Sequence, residues 1–502
     1  MMTDNRKLLM GLGAIVLAGA LLRVFSASGD LWLDEIWSLD NIALARTLCS
    51  ACDRIGIFFH DNTHPINTLY MAAVGAKASP FAYRLLAIVS GAAMIIVAAA
   101  IGLRRGPREG LIAAAMVATS YPMVHYASEA RGYAPMLLAL LAAVYYLERY
   151  LEAPGRGPAF AFIGVTVLGL ASHISFIVVL AALGLSAAGA FYKTTASAIS
   201  TLARLSVLFG VQAVLVTAYG AVAVGNMVYG GRSDMPIEDS LAIMFGATFG
   251  IDPLALTTAP ALAMVGVTMA GLVGLAVWWT RRLGDGAWVF LFLLAVVYPL
   301  GFLIFDPPLG TVPRYFIASA LVALMATARL YAGMITAGGK LRAVAWAGLV
   351  LFFIGNGILL EKSLSGGRGT PALALEAIAE AGDKNRPALI TTHHLFSIGT
   401  VVNYYARERG LSDRIRFVQP KDETRSLAPW FITNRHFAVK PEGAISPWHW
   451  YAFENFSGEK EFPSLPEFLD RDGPQGPVRY KRFGLYPHWG LSGSTWVIYR
   501  RP

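Results

Sequence analysis

The chain has 502 residues, of which 56% are hydrophobic and only 15% are charged, whereas a soluble globular protein carries about 25% charged residues. Its stretches 85–103, 159–192 and 287–305 contain no Asp, Glu, Lys or Arg. Each can supply the apolar helix of about 20 residues that crosses a bilayer. This composition excludes a soluble globular protein, and the two cysteines exclude a disulfide scaffold. We predict an all-α polytopic membrane protein.

The net charge of +9 and the isoelectric point near 9.4 raise the question of a nucleic-acid partner. Basic residues in alternate loops of a membrane protein explain the same excess, because cytoplasmic loops are enriched in Lys and Arg. We therefore predict no nucleic-acid partner. The sequence also lacks the G-x-x-x-x-G-K-[ST] phosphate loop that an ATP-driven pump requires.

The first apolar run, 8–25, follows Arg6 and Lys7 and is not followed by a small-residue cleavage pattern, so we expect a permanent span. The run 64–76 is too short to cross a bilayer and contains Pro65, which favours a helix lying in the interface. We predict about eleven spans, at 8–25, 85–103, 111–127, 132–148, 159–172, 174–191, 205–225, 255–279, 287–305, 315–334 and 343–360.

The basic residues fall mainly in alternate loops of this arrangement. The loops that are rich in basic residues contain Arg6, Lys7, Arg104, Arg105, Arg108, Arg149, Arg156, Lys193, Arg204, Arg281, Arg282, Lys340 and Arg342. The positive-inside rule places these loops, and the N-terminus, in the cytoplasm. An odd number of spans then puts residues 361–502 on the extracytoplasmic side.

Composition changes after residue 360, where a polar, glycine-rich linker covers 361–369. The following patterns predict helices at 371–381 and 396–409 and strands at 388–392, 415–418, 479–485 and 494–499. We predict a membrane domain, 1–360, with a first outer loop at 26–80, and a small extracytoplasmic α/β domain, 361–502.

The first outer loop contains an acidic pair, Asp34 and Glu35, between Trp32 and Trp37. Tryptophan favours the membrane interface, and a carboxylate there can act as the general base that deprotonates an acceptor hydroxyl. An interfacial anchor with solvated acids is an equally good interpretation of the spacing.

Further along the same loop lie His60, His64 and Asn67, around a proline suited to the first turn of a helix. The N-terminus of a helix beside a histidine suits a phosphate group. A capped surface helix explains the same residues. His173 lies where the run 159–192 must turn.

Charged residues also stand at two short outer turns. Glu129 and Arg131 lie between two predicted spans, and Arg314 and Tyr315 open another. Ionisable residues at membrane depth favour a functional role, and an arginine there can hold a lipid phosphate through two parallel hydrogen bonds. The alternative is an arginine that reaches the lipid headgroups.

Cys49 and Cys52 share the first loop with His60 and His64, in a spacing that superficially suits zinc. The gap is short for such a site and the loop faces an oxidising compartment, so a disulfide is favoured over a metal site or free thiols.

Six segments follow one another in order along the predicted outer face: 32–35, 61–70, 83–85, 128–134, 172–173 and 313–315. Together they resemble motifs of the GT-C superfamily of membrane glycosyltransferases. The resemblance is strongest to the protein-mannosyltransferase-like branch, which includes the lipid A aminoarabinose transferase and rhizobial core-sugar transferases.

This resemblance implies an enzyme of the bacterial inner membrane that transfers a sugar, with inversion, from a polyprenyl-phosphate donor to a glycan, lipid or protein. It matches Asp34 to the catalytic base, with Glu35 beside it, and Glu129 to the second-loop acid. It places the donor phosphate near His64, Arg131 and Arg314.

The chemistry needs no cofactor, since a lipid phosphate is already a good leaving group, and we predict no metal. Two other classes of protein stay open: a polyprenyl-lipid transporter or flippase, and a membrane scaffold without catalytic activity.

Overall fold

The computed structural model describes residues 2–47, 64–223, 237–251, 293–299, 301, 312–366, 368–392, 398–418, 428–433, 478–483 and 496–500. The chain forms two compact units. The membrane unit comprises 1–25 and 42–360, and the C-terminal unit comprises 26–41 and 361–502. The segment Ser26–Asn41, which we expected to belong to the membrane domain, thus groups with the C-terminal unit.

Helices of very different lengths make up most of the described part of the membrane unit. They are α1 Met2–Ser26, α2 Leu33–Thr47, α3 Pro65–Val74, α4 Pro80–Leu103, α5 Pro107–Thr119, α6 Tyr121–His125, α7 Tyr133–Glu152, α8 Arg156–Ser172, α9 Phe176–Thr195, α10 Ala198–Ala223, α11 Ile237–Thr248, α12 Ile317–Ala337 and α13 Gly339–Gly366.

Within the described ranges, seven helices are long and apolar enough to cross a membrane. The all-α polytopic character that we predicted is confirmed. The predicted number of spans stays a prediction, because 255–279 and most of 287–305 lie outside the described residues. The helix predicted within 64–76 appears as α3, and the turn predicted around His173 appears as the break between α8 and α9.

One predicted span is not continuous. We expected a single helix over 111–127, but α5 ends at Thr119, and after Ser120 the chain forms the short α6 and a 3-10 turn, Tyr126–Ser128. The backbone N–H of Tyr121 donates to the Asn356 side chain, 2.7 Å away, and the Arg23 guanidinium donates to the Ala118 carbonyl at 3.2 Å. Side chains from distant helices therefore satisfy the backbone groups that the break exposes.

An ion-pair network joins the end of α4 to the end of α7. Arg105 lies 2.7 Å from Glu148, Arg104 lies 3.3 Å from the same carboxylate, and Arg104 also pairs with Glu152. These side chains are partly exposed. Arg105 also lies 3.9 Å from Glu109. We call these five side chains the ion-pair network.

The C-terminal unit contains a five-stranded sheet in the order β2-β1-β3-β5-β4. Strand β1 (Ala388–Thr391) pairs in parallel with β2 (Ile415–Phe417) and β3 (Trp430–Thr433), whereas β5 (Trp496–Arg500) pairs antiparallel with β3 and β4 (Val478–Phe483). Helices α14 (Pro371–Ala381) and α15 (Thr400–Glu408) complete this α/β unit, as predicted. The buried side chains of Leu375, Ile390, Trp430 and Ile498 belong to its core.

Candidate functional site

The turn between α6 and α7 carries a buried arginine, Arg131, whose side chain is held on two sides. Its Nε donates a hydrogen bond to Nε2 of His64, 3.0 Å away. Its guanidinium carbon lies 5.0 Å from the centre of the Tyr133 ring, a cation–π distance. Arg131 and His64 are only 3% and 2% exposed. The turn therefore fixes a charged group inside the membrane unit.

Three rings pack beside this arginine. The ring centres of His64 and His173 lie 4.8 Å apart, those of Tyr133 and His173 also 4.8 Å, and those of His64 and Tyr133 5.5 Å. Nδ1 of His173 accepts a hydrogen bond from the Ser175 backbone N–H at 3.1 Å, so this nitrogen carries no proton. We call His64, Glu129, Arg131, Tyr133 and His173 the Arg131 cluster.

Both histidines of the cluster favour the neutral form. Burial, followed by the positive charges of Arg131 and then Arg314, lowers the pKa of His173 to about 3. Burial and the charge of Arg131 also hold the pKa of His64 well below its usual value. The imidazoles thus contribute acceptors and ring surface rather than charge at neutral pH.

Close backbone packing fixes the turn itself. The Asn67 side-chain amide donates to the Ala130 carbonyl at 2.5 Å. A Cβ atom on Gly132 would lie 1.9 Å from the Ser172 carbonyl oxygen and 3.0 Å from Cβ of His64. Only glycine fits where the start of α7 passes the end of α8.

A second polar pair supports the turn from the side of α6. Nε2 of His125 lies 3.3 Å from Oε1 of Glu129, and both side chains are almost fully buried. The Tyr126 hydroxyl, also buried, has no hydrogen-bond partner among the described residues.

Arg314 belongs to the 3-10 turn Pro313–Phe316 that precedes α12. Its charge contributes to the lowered pKa values of both cluster histidines, so it lies within electrostatic reach of them. The neighbouring Tyr315 has a partly exposed side chain, and its carbonyl accepts a hydrogen bond from the Tyr298 hydroxyl at 3.4 Å.

In the C-terminal unit, the acidic pair lies in the first turn of α2, and both carboxylates are buried. Oε2 of Glu35 accepts the Trp32 backbone N–H at 3.1 Å, which is half of a capping box. The Ser38 hydroxyl donates to the backbone carbonyl of Asp34 at 2.9 Å. Glu35 therefore has a structural task at the start of the helix.

Several contacts within the C-terminal unit hold the segment before this helix. The Tyr405 hydroxyl donates to the Leu31 carbonyl at 3.1 Å and accepts the Leu31 N–H at 2.5 Å. A carboxylate oxygen of Asp30 accepts the Ala372 N–H at the start of α14, 3.0 Å away, where the helix dipole favours negative charge. Nε of Arg368 donates to the Ser26 carbonyl at 3.0 Å. These contacts fix the backbone that carries Asp34.

The structure brings together five predicted site residues, His64, Asn67, Glu129, Arg131 and His173, with Arg314 within electrostatic reach. The sequence analysis missed His125, Tyr126 and Tyr133. His125 stands four residues before Glu129, the spacing of a helical ion pair, and this spacing could have identified it.

The predictions for His60, Cys49 and Cys52 fall outside the described residues. In the described part of the chain, no group of three or more His, Cys, Asp or Glu side chains is placed to hold a metal ion.

No family model and no curated protein matches the chain. Among solved structures it is similar to ArnT from Cupriavidus metallidurans bound to undecaprenyl phosphate, with 11% identity, a TM-score of 0.47, and coverage of 98% of this chain and 97% of that one. It is also similar to the archaeal oligosaccharyltransferase AglB from Archaeoglobus fulgidus, in complex with an inhibitory peptide and a dolichol-phosphate. That match has 12% identity, a TM-score of 0.46, and coverage of 86% and 70%.

Proposed function

We propose that this membrane protein transfers a sugar from a polyprenyl-phosphate donor to a cell-surface glycan, lipid or protein. The observation that carries the proposal is the Arg131 cluster, an arginine that is 3% exposed and whose plane is fixed by His64 and Tyr133. A guanidinium held in one plane matches the geometry of a phosphate and loses little freedom when it binds one.

In this mechanism Arg131 and Arg314 hold the phosphate of the donor. The acceptor oxygen attacks the anomeric carbon from the face opposite the phosphate, which inverts that carbon. The bond between the carbon and the phosphate oxygen breaks, and its electron pair stays on the polyprenyl phosphate. The two arginines stabilise the charge that develops there. The buried Tyr126 hydroxyl supplies a neutral donor beside them, and Glu129 keeps the predicted role of second acid.

Asp34 is the proposed general base, which takes the proton of the acceptor hydroxyl. The neighbouring Glu35 caps α2. Contacts within the C-terminal unit fix the backbone that carries Asp34. The sequence motif supports the assignment to Asp34, and the capping hydrogen bond gives Glu35 a structural role. The reaction belongs on the extracytoplasmic face of a bacterial inner membrane, in agreement with the basic loops.

The decisive experiment compares Asp34→Asn with the purified wild-type chain. The substrate is polyprenyl-phosphate sugar extracted from the membranes of the source organism, and release of polyprenyl phosphate is measured. Asn keeps the shape but not the base, so we expect kcat to fall about a hundredfold or more at unchanged donor KM.

Asp40→Asn is the matched control, because Asp40 lies on the same helix and pairs with Arg407. It should keep kcat within about twofold, as exposed ion pairs contribute little. Normal turnover by Asp34→Asn would remove this residue from the mechanism. A wild-type protein that moves the lipid across vesicles without releasing polyprenyl phosphate would favour the flippase.

A further inference from the structure

The sequence predicted His64 as a direct ligand of the donor phosphate, but its contacts point to another task. We propose that His64 is a positioning residue, which orients Arg131 through an uncharged imidazole acceptor and does not itself bind the phosphate. This inference rests on the proposed function and refines how the donor site is built.

The first argument is the direction of the hydrogen bond. Arg131 Nε is always a donor, so Nε2 of His64, 3.0 Å away, must be the acceptor and carries no proton. The same nitrogen cannot at the same time donate to a phosphate oxygen. The neutral imidazole then carries its proton on Nδ1, which faces the Ser172 backbone, and a hydrogen bond there contributes to the pKa of His64.

The second argument is charge. A protonated His64 would add a positive charge next to Arg131, with Arg314 and the ring of His173 close by, in a place that is 2% exposed to water. Burial and these neighbours hold the pKa of His64 well below its usual value. The groups that surround it therefore oppose the cationic form that would attract a phosphate.

The third argument is how firmly His64 is held. It caps the N-terminus of α3, where its carbonyl accepts the Thr68 N–H at 2.8 Å, and Pro65 follows in the first turn. Its Cβ faces Gly132 at a distance that leaves no room for a larger residue. A fixed acceptor at this point sets the plane of the guanidinium, and a guanidinium held in one plane suits a phosphate.

Three substitutions separate positioning from direct binding. Gln offers an uncharged oxygen acceptor to Arg131, Lys offers a positive charge and no acceptor, and Ala offers neither. The measurement is equilibrium binding of undecaprenyl phosphate to the full chain in lipid nanodiscs, with thermal unfolding of each variant as a check on the fold. Transfer assays then give KM and kcat.

We expect His64→Ala to weaken binding about tenfold, because Arg131 is then no longer held in the orientation that suits the phosphate. His64→Gln should return to within about threefold of wild type, and His64→Lys should bind as weakly as Ala or more weakly. In transfer assays the loss should appear in the donor KM, with kcat within about threefold. Rescue by Lys and not by Gln would overturn the inference.

A double-mutant cycle with Arg131→Ala gives the second test. If His64 acts through Arg131, His64→Ala causes no further loss once Arg131 is removed. An equal loss in both backgrounds would mean that His64 contacts the phosphate itself. Wild-type protein that binds no undecaprenyl phosphate would contradict the proposed function, whereas binding that is rescued by Lys would contradict only the role of His64.

Discussion

The two ends of α7 (Tyr133–Glu152) use arginine in opposite ways. At the C-terminal end, Arg104 and Arg105 are partly exposed and pair with Glu148 and Glu152 in the ion-pair network. Just before the N-terminal end, Arg131 is almost fully buried against a neutral histidine and a tyrosine ring. Partly exposed ion pairs between helices contribute little to the free energy of folding. Burial of a guanidinium costs free energy, and such a residue at membrane depth favours a functional role.

The physical difference lies in what surrounds the charge. Carboxylates on α7 match Arg104 and Arg105 within the protein, so this end has little left for a ligand. In the Arg131 cluster the arginine contacts the rings of His64 and Tyr133, and burial together with the charges of Arg131 and Arg314 lowers the pKa of His173.

The largest difference between the two ends is expected from removing one arginine at each. Arg131→Ala should raise the donor KM about ten- to a hundredfold, because it deletes charge-assisted hydrogen bonds to the phosphate. Arg131→Lys should recover this only in part, since an ammonium is a point charge without the planar fork. The measurement is initial rate against donor concentration.

Arg105→Ala is the matched control, an arginine of the same helical bundle in the ion-pair network. It should leave the donor KM within about twofold and lower only the unfolding temperature. Equal changes in KM for Arg131→Ala and Arg105→Ala would erase the distinction between the two ends.

A smaller effect is expected from the backbone that supports the cluster. Gly132→Ala places a methyl group against the Ser172 carbonyl, which must move, and overpacking of this kind costs about 1–3 kcal/mol. We expect a lower unfolding temperature and a donor affinity several-fold weaker, because Arg131 is the adjacent residue. Thermal unfolding and undecaprenyl phosphate binding measure the two effects.

Gly164→Ala is the control on the neighbouring helix α8, where a Cβ meets no atom within 4 Å. It should be neutral or stabilise by up to about 1 kcal/mol, since alanine favours helix over glycine. If both glycine variants behave alike, the turn is not as tightly packed as its geometry requires.

Sequence patterns predicted the helices and charged turns whose causes lie in the nearby residues. Apolar length located α1, α4 and α7, and costly charges at the short turns indicated Arg131 and Glu129. The break after Thr119 was missed because its backbone groups are satisfied by Asn356 and Arg23, which lie far away in the sequence.

Tertiary contacts also explain the misplaced first-loop segment. The residues before α2 group with the C-terminal unit through Tyr405, Arg368 and Ala372, and no local pattern in residues 26–41 reveals these partners. The same holds for Tyr126 and Tyr133, whose aromatic character fits any apolar helix end.

The smallest expected effect concerns acid sensitivity at the buried end of α7. His173 has a pKa near 6.5 when unfolded and about 3 in the folded chain, so between these values the unfolded state binds a proton that the folded state does not. Stability from this group is therefore fully present above about pH 6.5 and falls as the pH drops towards 3.

His173→Asn keeps an acceptor for the Ser175 N–H and cannot take up the proton. The fall in unfolding temperature between pH 7.5 and pH 5 should be smaller in this variant than in wild type. Arg105→Ala, at the other end of the helix, should show the wild-type fall. Identical pH profiles for His173→Asn and wild type would mean that His173 is charged in the folded protein, and the contrast between the two ends of the helix would then be lost.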